Sequence, residues 1–201
     1  GNWVNPKLEI LDSSRDGNFI AVGRLENIKR FDLLIHAWKG IDEKLEIIGD
    51  GLEKNNLLTI IKDNNLADQI TIRSEVNSQE LCNIYRRAKA LIITSSREGG
   101  PRVALEAAAF NLPVFGTNVG IMSELFPQEV LADPNNEEEI ISLIRSFVPL
   151  AKNIDVSAIK ERIFESYTVE SSAKRVGKIY DSVLSNSCLL YTSPSPRDPT
   201  S

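Results

Sequence analysis

Two glutamates with seven residues between them stand in the run Glu98-Gly99-Gly100-Pro101-Arg102-Val103-Ala104-Leu105-Glu106. Gly99 and Gly100 let a backbone approach a ligand with no Cβ in the way. Pro101 suits the first position of a helix, which aims that helix's free N–H groups and positive dipole end at the glycines, an anion site. Glu106 then falls about one and a half turns into the helix, among Val103, Ala107, Ala108 and Ala109. A carboxylate in such company is costly to bury unless something donates to it. The two hydroxyls of a sugar diol meet that need, and a buried lysine or arginine meets it equally. The residues alone leave both open.

A second cluster, Gly23-Arg24-Leu25-Glu26-Asn27-Ile28-Lys29, ends one apolar run and opens a helical pattern. Arg24 and Lys29 together suit a diphosphate, although a solvated surface pair is the ordinary fate of two such cations. A third, Gly49-Asp50-Gly51, begins a dinucleotide fingerprint, but Lys54 stands where its third glycine belongs. No acidic residue is placed to meet a ribose after the next strand, so the motif reads as a tight strand-to-helix turn. The single histidine, His36, sits in a helical run with Phe31, Leu34, Ile35 and Trp38 and reads as a packed or half-exposed helix residue. Met122, Phe110, Phe115 and Phe126 read as core or pocket wall.

These clusters need elements to position them. Short apolar runs alternate with helical periodicity between residues 18 and 147, the signature of βαβ units on a mainly parallel sheet, an α/β Rossmann-like three-layer domain. Strands are expected at 19–22, 45–48, 70–72, 90–94, 114–116 and 130–131. Helices are expected at 30–38, 51–64, 78–88, 101–110, 122–125 and 137–147, with two more at 156–166 and 169–184. Ser78 and Asn136 are the expected caps of two of them, ahead of Glu80 and of Glu137, Glu138 and Glu139. Right-handed crossovers put the loop after every strand on one edge of the sheet, where open α/β sheets bind ligands. Gly23-Arg24, Gly49-Asp50-Gly51, Ser74-Glu75, residues 95–101, Gly116-Thr117 and Gly120 all fall there.

Composition sets the outer limits. The chain has 201 residues, 42% hydrophobic and 25% charged, globular averages that exclude a disordered or collagen-like polymer. A net charge of −5 is the wrong sign for a protein that neutralises nucleic-acid phosphates. No apolar run approaches the ~20 residues of a membrane span. Cys82 and Cys188 give neither a disulfide framework nor a metal-ligand spacing, which suits a reducing cytoplasm. Residues 1–17 read as a linker leading in, 18–148 as the binding domain and 149–185 as C-terminal helices. The stretch Cys188-Leu189-Leu190-Tyr191-Thr192-Ser193-Pro194-Ser195-Pro196-Arg197-Asp198 resembles a translated sequencing adapter. Residues 186–201 therefore read as an artefactual, disordered tail whose prolines cannot continue a helix.

In order and spacing these residues resemble the C-terminal, donor-binding domain of retaining GT-B glycosyltransferases, family 4 or group 1. The resemblance runs from about Phe19 to Leu184. It rests on Val22-Gly23-Arg24-Leu25 with Lys29 and Asp32, Ile48-Gly49-Asp50-Gly51, Leu81 through Tyr85 with Ala88, and Ser95, Ser96, Glu98-Gly99 and Pro101 to Glu106-Ala107. Leu112-Pro113-Val114, Thr117, Val119-Gly120 and Glu124 complete it. It implies that Arg24 and Lys29 grip a donor diphosphate and that Glu98 lies beside the donor sugar. Gly99 and Gly100 would give it amide contacts, with Gly23, Pro101, Arg102 and Val103 in the same site. Glu106 would hydrogen-bond the ribose, and the loop holding Ser74, Glu75 and Val76 would frame the base. Ser74, Lys89 and Phe110 depart from the residues usual in the family, clouding the identity of the nucleotide more than the activity.

The resemblance further implies a UDP- or GDP-sugar substrate, no cofactor and no metal, in keeping with the lack of an Asp-x-Asp motif. It implies polysaccharide biosynthesis, with an acceptor glycan or lipid-linked sugar bound through an N-terminal domain that this chain lacks. The protein would then work in the cytoplasm, with the whole enzyme able to associate at the inner membrane face. An epimerase or phosphorylase on the same fold, and a non-catalytic nucleotide-sugar-binding module, are the rival readings.

Overall fold

The computed structural model describes residues 15–153 together with Ile159 and Glu161. The helices expected at 156–166 and 169–184 and the adapter-like tail lie outside the described residues. Six strands form one sheet: β1 (Phe19–Val22), β2 (Leu45–Ile48), β3 (Ile70–Arg73), β4 (Leu91–Ile93), β5 (Val114–Thr117) and β6 (Leu131–Ala132). Every pairing is parallel, in the order β3-β2-β1-β4-β5-β6. β1 and β4 read as unbroken apolar runs because helices cover both faces of a parallel sheet. Phe19 aligns with Leu45, Ile20 with Leu91 and Leu91 with Val114.

The helices are α1 (Phe31–Ala37), α2 (Lys54–Asp63), α3 (Ser78–Arg87), α4 (Arg102–Ala109), α5 (Met122–Leu125) and α6 (Glu137–Phe147). α1 packs on both α2 and α6, while α3 and α4 meet through Tyr85, Phe110 and Glu106. Large rings fill the interior. Phe19 meets Trp38 edge-on with centroids 5.5 Å apart, and Phe115 lies 5.8 Å from Phe147. Met122, Phe110, Phe115 and Phe126 are all buried, whereas His36 is exposed. Among the described residues no helix is long and apolar enough to cross a membrane.

Within the described residues every expected element is present; α1 to α4 and β4 are shorter than expected, β3 and β5 run one residue longer and β6 lies one residue later. α1 starts after a 3-10 turn at Asn27–Lys29 because Arg30 adopts a left-handed conformation, φ 53°. α2 starts at Lys54 rather than in the glycine turn, where the Glu53 N–H donates to the Leu25 carbonyl at 3.0 Å. Pro101 is the extended residue before α4 (ψ 92°) and not its first helical residue. Asn77, not Ser78, caps α3, its side chain accepting from the Glu80 N–H. Asn136 caps α6 as expected, accepting from the Glu139 N–H.

Chain order reverses between β1 and β4, which are neighbours in the sheet but far apart in sequence. The loops leaving their ends are stitched together there. The Ser96 N–H donates to the Ile28 carbonyl at 2.9 Å, and the Thr94 hydroxyl donates to the Lys29 carbonyl at 2.8 Å. Such a reversal opens a crevice at the carboxyl edge.

Candidate functional site

A cleft of about 580 Å³ opens at that edge. Its floor is Val22, Gly23, Ile48 and Gly49, the last residues of β1 and β2 and those just beyond. One wall is Glu75, Val76 and Leu81; the other is Arg102, Val103 and Glu106 at the start of α4, with Arg24 and Asp50 at the rim. The two floor glycines touch backbone to backbone. A Cβ on Gly49 would lie 1.9 Å from the Gly23 carbonyl oxygen, so only glycine lets β1 and β2 end side by side.

Glu106 projects from α4 into the cleft with 32% of its side chain exposed. The Tyr85 hydroxyl donates to its Oε2 at 3.2 Å, and the Arg102 guanidinium stands 3.7 Å from its Oε1. The donor demanded by a carboxylate on this apolar helix thus comes first from Tyr85, a buried residue of α3. Burial, reinforced by the Glu106 charge, holds the Tyr85 phenol well above the usual tyrosine range. It therefore stays protonated and donating at neutral pH.

Lys29 and Glu98 form their own pair, Nζ to Oε1 2.9 Å, with 19% and 14% of their side chains exposed. The Ser95 hydroxyl also donates to Glu98 Oε1. This pair adjoins the cleft floor, since a Cβ on Gly23 would meet Lys29 Cε at 3.1 Å. Arg24 stands apart from Lys29. Its side chain is 79% exposed and pairs with Glu26 at 2.8 Å. Each of the two cations expected to act together thus has its own carboxylate partner, Arg24 an exposed pair at the rim and Lys29 a more buried one.

The remaining expected residues frame the cleft rather than line it. A Cβ on Gly99 would meet nothing within 4 Å, so no protein contact requires glycine there. Gly100 is half-buried and Pro101 buried. Gly120, at φ 57°, packs against the 98–99 peptide and holds the loop after β5 beside it.

Ser74 lies outside the lining but takes part in a latch that the motif reading missed. The Lys54 ammonium donates to Asp50 Oδ1 at 2.7 Å and to Ser74 Oγ at 3.0 Å, and the Glu75 N–H donates to Asp50 Oδ2 at 3.1 Å. Lys54, the residue that spoiled the dinucleotide fingerprint, thereby ties the loop after β3 to the turn after β2. The Lys54 hydrogen bond, then the Glu75 N–H, holds the Asp50 carboxyl below the usual aspartate range.

A single parallel sheet in this strand order is a Rossmann-like α/β fold, and its structural neighbours are GT-B glycosyltransferases. The sequence pattern of the glycosyl transferases, group 1, matches residues 9–162, and the chain belongs to that family. It is 30% identical over 188 residues to an uncharacterized glycosyltransferase of Methanocaldococcus jannaschii, covering 90% of this chain and 52% of the relative. Over 122 residues it is 34% identical to the amylovoran biosynthesis glycosyltransferase AmsD of Erwinia amylovora, covering 59% of this chain and 33% of the relative. S. aureus TarM, solved in a complex containing UDP, superposes with a TM-score of 0.72 at 22% identity, over 89% of this chain and 38% of that one. The chain thus spans about half or less of the length of these relatives.

Proposed function

We propose that this chain binds a nucleoside-diphosphate sugar, a UDP- or GDP-sugar, in the cleft between β1, β2 and α4. The whole protein then transfers the sugar, with retention, to a hydroxyl of an acceptor glycan or lipid-linked sugar. The observation that carries this reading is Glu106, an oriented carboxylate in the same cleft as Arg24 and the start of α4. Membership of the group 1 glycosyl transferases supports it, as does the UDP in the complex of the distant fold neighbour.

On this reading Glu106 accepts from the ribose hydroxyls, and the loop of Ser74, Glu75 and Val76, pinned by Asp50, frames the base. The diphosphate lies over Gly23 toward Arg24, Lys29 and the N–H groups opening α4, and the sugar reaches toward Glu98, Gly99 and Gly100. As the bond from the anomeric carbon to the phosphate oxygen breaks, negative charge grows on the departing diphosphate. Fixed cations and amides there stabilise the transition state. The new bond to the acceptor oxygen forms on the same face, and the acceptor's proton passes to the leaving phosphate. Lys29 must then share its charge between Glu98 and the diphosphate, whereas Arg24 needs only to leave an exposed partner. We place this work in the cytoplasm, where the two cysteines stay reduced.

Glu106→Ala and Arg24→Ala are each expected to weaken nucleotide-sugar binding by roughly 1–3 kcal/mol, the value of a lost charged hydrogen bond. Isothermal titration with UDP- and GDP-sugars checks this, and unchanged affinity in both variants would remove the site.

A further inference from the structure

Tyr85 is 1% exposed and lies behind the cleft lining, yet its hydroxyl reaches Glu106, which lines it. The ring is fixed from two directions, tilted against Phe110 at 5.8 Å, while its backbone carbonyl accepts from Arg15 at 3.3 Å. The same Arg15 guanidinium also donates to the carbonyls of Ala88, Phe110 and Asn111, tying the ends of α3 and α4 together. The hydroxyl is therefore held by the core, not by a mobile side chain. Its acceptor, Glu106 Oε2, belongs to a carboxylate whose other oxygen lies 3.7 Å from Arg102, itself 71% exposed. One oxygen is anchored by a buried donor, while 32% of the side chain stays exposed where it lines the cleft.

We infer that Tyr85 is a positioning residue for Glu106, fixing its rotamer so that both carboxylate oxygens meet the two hydroxyls of a nucleoside ribose. A carboxylate oxygen accepts more than one hydrogen bond, so Oε2 keeps Tyr85 while taking a ribose hydroxyl, and Oε1 takes the other. A side chain with few torsions locked by packing loses little entropy when the ligand arrives, which is how a rigid supporting residue adds affinity. The inference rests on the reading of Glu106 as the ribose acceptor. It adds a specific consequence: the ability to tell ribose from 2′-deoxyribose depends on a hydroxyl that never touches the ligand.

The test is calorimetric titration of the 201-residue chain with UDP, GDP and their 2′-deoxy counterparts. It covers the wild type, Tyr85→Phe, Glu106→Gln and the double variant. Tyr85→Phe keeps the packed ring and removes one hydrogen bond, so its thermal melt is expected to stay cooperative. Its affinity for the preferred ribonucleotide is expected to fall about five-fold, the equivalent of one hydrogen bond. The ratio of ribo- to deoxyribonucleotide affinity is expected to shrink with it, while in the Glu106→Gln background the same change adds nothing. If Glu106→Gln lowers the ratio but Tyr85→Phe leaves affinity and ratio at wild-type values, the positioning role is overturned and the ribose reading stands. If Glu106→Gln itself leaves the ratio intact, or if no nucleotide binds, the ribose reading fails and takes this inference with it.

Discussion

Asp50 and Glu106 are carboxylates at one cleft, and they differ in what holds them. Asp50 is exposed and tied to Lys54 and the Glu75 N–H; Glu106 leans on a buried phenol. Because hydrogen bonding lowers the Asp50 pKa in the folded state, its contribution is complete above the unfolded value and is lost as pH falls through the folded one. The amide resonance of Glu75 is therefore expected to titrate with a midpoint below that of an unstructured aspartate, and to lose this titration in Asp50→Asn. NMR across the acid range reads both. Lys29 and Glu98 belong to a less solvated pair. Removing the cation as Lys29→Met leaves the carboxylate with Ser95 and is expected to cost roughly 1–3 kcal/mol, measured by urea unfolding. Lys29, Glu98 and Glu106 are each legible in the sequence as single residues. That Lys29 pairs with Glu98 is not, because the pairing depends on the distance between loops 69 positions apart.

At the level of elements, caps and close approaches decide the boundaries. Asn136 keeps an exposed helix start satisfied, so Asn136→Ala is expected to cost about 1 kcal/mol. Gly49 stands where a methyl group would strike the Gly23 carbonyl. Gly49→Ala is expected to cost about 3 kcal/mol or more through overpacking of backbone against backbone, and urea midpoints for the two variants should rank accordingly. β1 and β2 match their expected bounds because apolar runs buried on both faces leave a strong pattern. Ends set by one hydrogen bond were less legible. Pro101 meets every local rule for a first helical residue, yet its ψ of 92° keeps it outside α4. Ser78 and Asn77 are both good caps, and only the reach to the Glu80 N–H separates them.

For the whole molecule, the relevant fact is that the chain spans about half or less of its relatives. On the proposed function, the cleft supplies the donor contacts and the acceptor is bound by residues outside this chain. This chain alone is therefore expected to bind nucleotide sugar without transferring it. Measurable transfer to any acceptor by the purified chain, followed with a radiolabelled donor, would refute that division of labour.

The parallel sheet and the edge that carries its loops were already implicit in the alternation of apolar runs and helical periods, because burial on two sides demands the one and right-handed crossovers give the other; the strand order was not. The glycines and charged residues of the carboxyl edge were visible too, because they interrupt the apolar runs where each strand gives way to its loop. What pairs with what was not visible. Tyr85 reads as one more apolar helix residue until α3 and α4 pack and its hydroxyl lands on Glu106. Lys54 reads as a broken motif until β2 and β3 align and it spans Asp50 and Ser74. Periodicity is a local, repeated signal that survives in one dimension. A hydrogen bond between distant loops is a single event of a few ångströms, and folding alone brings its two ends together.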